Sequence, residues 1–140
     1  MPAPASSPAV TAVVAGAVDV VLVVAFAAIG RGSHREVVDA VGVWETAWPF
    51  LVGLAIGWLV VRGWRHPLAV RPTGIAAWLA AVLVGMLLRV ATGSGAAFAF
   101  VIVATLTLAA FLLGWRAVAA LVRRVRRDRS ASPDGAAVAP

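Results

Sequence analysis

The chain contains neither cysteine nor lysine. The first absence excludes disulfides, thiolate metal sites and cysteine nucleophiles. Imidazole comes only from His34 and His66. They stand far apart, without the His-x-x-x-His or Glu-x-x-His spacing that sets ligands on one helix face, so neither a protein-built metal centre nor a cofactor is expected. No catalytic motif occurs. His34 as a general base would need a nucleophile and an oxyanion hole, and only Ser33 offers itself, so an enzyme is not expected either.

The absence of lysine makes all twelve basic residues arginine, against six acidic ones, for a net charge of +6. In a soluble protein such an excess suggests nucleic acid. Here the arginines cluster between and after apolar runs instead of striping one face of a domain, as the positive flanks of membrane helices do, and no nucleic-acid partner is expected.

What the sequence has in abundance is apolar surface. Hydrophobic residues make up 62% of its 140 positions and the mean hydropathy is +0.97, where a soluble domain has roughly 45–50%. Four spans of about 20 residues account for that excess. The expected fold is therefore all-α, a polytopic membrane protein built as a four-helix bundle.

Residues 1–9, with three prolines and two serines, read as a loose tail. Spans are expected at 10–30, 46–61, 73–89 and 96–122, followed by a basic and then disordered tail over 123–140. Ala25-Phe26-Ala27 matches a small-x-small cleavage pattern. However, no basic side chain precedes it and Asp19 interrupts the apolar run, so span one reads as retained. Pro49 falls in the first turn of span two as placed here, where its missing N–H matters little. Thr92-Gly93-Ser94-Gly95 reads as a tight turn between spans three and four.

The loop between spans two and three carries three arginines and the final tail five, against two in the first loop and Arg89 at the third. The positive-inside rule then puts both termini in the cytoplasm of a bacterial inner membrane. An even number of spans requires the two termini to share a side, in agreement with that bias. Trp44 and Trp48 fall near the outer interface on this map, and Trp58, Trp64, Trp78 and Trp115 toward the inner one.

Charges inside the apolar runs call for partners. Asp19 lies near the middle of span one, where a lone charge costs about 2.5–3.5 kcal/mol on insertion scales. Its expected partner is Arg116. Side chains lean toward the N-terminus of their own helix and spans one and four run in opposite directions, so the two lean toward each other. Arg89, at the end of span three, is a second candidate partner if it turns inward instead of snorkelling to the headgroups. Two readings stand: a lock that fixes helix packing, and a proton- or cation-coupled transporter in which Asp19 exchanges its ion.

Glycines mark expected close-packing faces at Gly16, Gly53, Gly57 and Gly85. The Gly53-x-x-x-Gly57 pair fits packing within the bundle or pairing of two copies as a homo-oligomer. Spans two and three lack Ser, Asn and Gln, which speaks against a polar pore. At the outer face, Arg31, Ser33 and His34 form a candidate anion or headgroup site.

The set formed by Asp19, Gly30-Arg31 with Ser33-His34, Thr46-Ala47-Trp48-Pro49-Phe50 with Gly53, Arg89 with Gly93 and Gly95, and Gly114-Trp115-Arg116 resembles a domain-of-unknown-function family. Its members are small four-span bacterial and archaeal membrane proteins. The likeness runs from about Ala17 to Val122 and implies architecture alone. The function expected is that of a structural or accessory membrane protein whose partner is the lipid bilayer, the alternative being the small coupled transporter.

Overall fold

The computed structural model describes residues 7–33 and 39–131, apart from the side chains of Ser33 and Ala131. Among them are four helices: α1 (Pro8–Ser33), α2 (Ala40–Val60), α3 (Ile75–Ala91) and α4 (Phe98–Ala131). The apolar stretches Pro8–Gly32, Ala40–Val60, Val70–Ala91 and Phe98–Ser130 are each long and apolar enough to cross a membrane. Only 17–33% of the residues in their most apolar windows are buried within the protein. A fold that leaves so much apolar surface outward needs lipid around it.

The neighbours pack antiparallel in a closed ring. Gly53 abuts Ala80 and Ala81 while Gly57 abuts Ala76 and Ala77, so α3 descends as α2 rises. The indole N–H of Trp78 on α3 donates to the Thr105 carbonyl of α4 at 3.0 Å. Between α1 and α2, the rings of Phe26 and Phe50 meet edge to face, with centroids 5.3 Å apart. Phe100 of α4 closes the cluster at 6.4 and 6.3 Å from those two rings. Below it the core continues through Val23, Leu54, Ala77, Ala81, Ala104, Leu108 and Leu112.

Helix boundaries depart from the expected spans in two places. The second helix starts at Ala40 and not near residue 46, because Asp39, in extended conformation, accepts the Gly42 N–H at 2.7 Å and caps it. An acidic residue that reads as loop is thus a helix start. As a result, Pro49 lies in the interior of α2, not its first turn, and removes the N–H that would bond the Glu45 carbonyl. At the other end, α4 continues through the arginines to Ala131, 34 residues or about 51 Å. Arginine is a good helix former and suits a helix C-terminus, so the start of the expected tail is helical.

The connection from α2 to α3 is the most structured loop. Arg62 takes a left-handed conformation (φ 49°) just past α2, a turn of 3₁₀ helix covers Gly63–Arg65, and Gly74 N–H bonds to the Ala69 carbonyl at 3.0 Å. The buried Thr73 hydroxyl donates to the His66 carbonyl at 2.8 Å. These bonds fold the segment back over the end of the bundle.

Candidate functional site

Asp19 and Arg116 have no exposed surface. They meet fork to fork: Nη1 donates to Oδ1 and Nη2 to Oδ2, both at 2.7 Å. Each carboxylate oxygen also accepts an indole N–H at 2.8 Å, Oδ1 from Trp115 and Oδ2 from Trp58. The carboxylate therefore accepts four hydrogen bonds from α2 and α4 while it sits on α1. Two parallel N–H···O bonds between ionised groups are roughly twice as strong as neutral ones and fix the geometry of the pair.

The guanidinium is held from behind. Its Nε donates to the Pro67 carbonyl at 3.1 Å and its Nη1 also donates to the Leu112 carbonyl at 3.0 Å. Four of its five N–H donors are thereby engaged. Its carbon also lies 4.7 Å from the centre of the Trp115 ring, a cation–π contact between neighbours in sequence. Gly74 makes room for the shaft: a Cβ there would stand 3.0 Å from Arg116 Cδ. Among the described residues no buried side-chain nitrogen or oxygen lacks a partner.

Helix direction explains the convergence. Trp58 and Arg116 sit on helices running toward the end that carries the α2–α3 loop, and their side chains lean back from it. Asp19, on a helix running away, leans toward it. Sequence reasoning paired the two charges but placed Trp58 and Trp115 as interfacial anchors. Their N–H groups face the carboxylate instead. The available signal was local: Trp115 adjoins Arg116. The carbonyl of Pro67 had no sequence signal, since any residue supplies one.

Arg89, the second partner expected for Asp19, is engaged elsewhere. Its Nε and Nη2 donate to the carbonyls of Gly95 and Ser94 at 3.1 and 3.3 Å, and its guanidinium lies 4.5 Å from the Phe100 ring centre. It clamps the hairpin in which Gly93 and Gly95 hold positive φ. Of the candidate outer anion site, only Arg31 is described as a side chain. Its guanidinium lies over Gly42, at the start of α2. The Ser33 side chain and His34 lie outside the described residues.

The glycines divide by what they face. Gly53 and Gly57 lie against backbone of α3, so the Gly-x-x-x-Gly face packs within the bundle. Gly85 faces the Phe50 ring, and Gly16 has only the Trp58 ring at 3.8 Å. No three His, Asp or Glu side chains come together among the described residues.

The sequence pattern of a family described as a protein of unknown function, DUF3054, matches residues 16–119, more than half of the chain. The chain belongs to the DUF3054 family. The matched stretch contains all four side chains of the cage, Asp19, Trp58, Trp115 and Arg116, and stops short of the arginine run after Val122. No curated protein and no solved structure matches this DUF3054 chain.

Proposed function

We propose that this protein is a structural or accessory component of a bacterial inner membrane, without catalytic activity, in which the Asp19–Arg116 pair locks the helix bundle. The observation that carries the reading is the saturation of Asp19: both oxygens are engaged by four donors, with no exposed surface. A coupling carboxylate must release one partner and accept another each cycle. Here Arg116 is itself held by the carbonyls of Pro67 and Leu112, and opening the cage would strand several polar groups in hydrocarbon. The charge map supports cytoplasmic termini. Arg62, Arg65, Arg71 and the five arginines of Arg123–Arg129 lie at the end where α1 begins and α4 finishes, against Arg31 and Arg89 at the other among the described residues.

Flux across proteoliposomes discriminates between a lock and a relay. Under an imposed proton or sodium gradient, vesicles containing the wild-type protein are expected to leak no faster than protein-free vesicles. A flux that the wild type supports and Asp19→Asn abolishes would overturn the lock and favour the coupled transporter.

A further inference from the structure

A cleft of about 420 Å³ opens at the end of the bundle between the first turn of α1, the α2–α3 loop and α4. Its polar lining is Trp64, Arg65, His66 and Arg123, with Thr11, and no carboxylate takes part among the described residues. Arg123 Nε donates to the Ala119 carbonyl at 3.3 Å, which draws this side chain back along α4 toward the cleft. A second cleft of about 240 Å³, lined by Val10, Val14, Ala15, Leu68 and Trp115, shares Thr11 and Leu68 with the first. The two therefore adjoin at these residues. From Thr11 to Ala15 the helical rise carries the groove about 6 Å deeper into the span.

We propose that this groove holds one anionic phospholipid. Its phosphate lies between Arg65 and Arg123 beside His66, and an acyl chain runs along Val10, Val14 and Leu68 to the face of Trp115. Three observations identify the occupant. Two guanidinium groups without a carboxylate among the described lining residues select an anion. The cleft is within the roughly 300–1,000 Å³ typical of small-molecule sites. The polar part lies at the helix ends and the apolar part deeper, the order in which a lipid presents its headgroup and chain. A free phosphate would satisfy the first part and leave the second without an occupant.

The proposal stands apart from the lock, although the two adjoin. Pro67, whose carbonyl holds Arg116, lies between two lining residues, His66 and Leu68, and the Trp115 ring is shared. Lipid in the groove covers the outer side of the cage.

The test is native mass spectrometry and thermal unfolding of the full chain in detergent, with added phosphatidylglycerol, phosphatidylcholine or inorganic phosphate. Phosphatidylglycerol alone is expected to remain bound and to raise the unfolding midpoint. Arg65→Ala with Arg123→Ala should weaken that binding about tenfold or more. Arg126→Ala with Arg129→Ala, which removes the same charge outside the cleft, should retain it. Val14→Trp, which fills the apolar part from an exposed position, should weaken it too. Equal binding of both lipids would overturn the proposal. So would equal loss in the two arginine pairs, which would mean diffuse attraction. An equal shift by inorganic phosphate with no effect of Val14→Trp would mean an anion site alone and would also overturn it. The two arginine pairs lie outside the cage of Asp19, Trp58, Trp115 and Arg116, so their lipid-free unfolding should match the wild type whichever way the lipid result falls.

Discussion

Asp19 carries one formal charge, yet two of its four donors are neutral indoles, and this changes what a substitution at the site should do. A hydrogen bond to a charged group contributes about 1.5–3 kcal/mol net, and a buried donor stripped of its acceptor loses its full desolvation energy. Trp58→Phe or Trp115→Phe should therefore destabilise the wild-type protein by about 1.5–3 kcal/mol. In an Asp19→Leu/Arg116→Leu background the same Trp→Phe changes should be neutral or stabilising, because they then remove an orphaned N–H. Chemical unfolding in mixed micelles reads both effects. The charges themselves were legible in the sequence, since an Asp and an Arg inside apolar runs demand each other. The indoles were not, because tryptophan near a span end has a common interfacial use that gives the same pattern.

Two pairs of helices are held by different devices. Between α2 and α3 the contact is backbone on backbone at Gly53 and Gly57, where a Cβ on Gly57 would come within 2.5 Å of the Ala76 carbonyl oxygen. Between α1 and α4 it is the polar cage. Without water to drive association inside lipid, close approach and interhelical hydrogen bonds are the forces available. Gly53→Ala and Gly57→Ala should therefore force the helices apart and destabilise by about 1–3 kcal/mol each, the usual overpacking range. Gly85→Ala, whose Cβ would stand 2.5 Å from Cδ1 of the fully buried Phe50 ring, should fall in the same overpacking range, and Gly16→Ala should cost almost nothing; unfolding of the four variants side by side gives the order. The glycine faces were legible from spacing, whereas whether Gly53 and Gly57 serve a second copy or α3 depends on tertiary placement that spacing does not contain. The start of α2 was misread for a similar reason: Asp39 has one composition as a loop residue and as a cap.

For the molecule as a whole, four antiparallel helices put the start of α1 and the finish of α4 on one side, and the orientation proposed above rests on the arginine bias. The chain has no native cysteine, so single-cysteine variants report topology without background. Ser94→Cys in the α3–α4 hairpin should react with an impermeant maleimide added to intact cells. Ser130→Cys near the end of α4 should react only after permeabilisation. The reverse pattern would invert the orientation. Architecture was legible because apolar runs of membrane length have few alternatives. The geometry of the polar cage was not, because it depends on the α2–α3 loop folding back so that Pro67 and Gly74 meet Arg116.

The central claim is that Asp19 and Arg116 hold the bundle as a coupled pair, and a double-mutant cycle on unfolding free energy tests it most directly. Asp19→Leu and Arg116→Leu alone are each expected to destabilise by about 3–5 kcal/mol, since each leaves an uncompensated buried charge, while the double variant should regain much of that loss. Small losses that simply add in the double variant would contradict the lock.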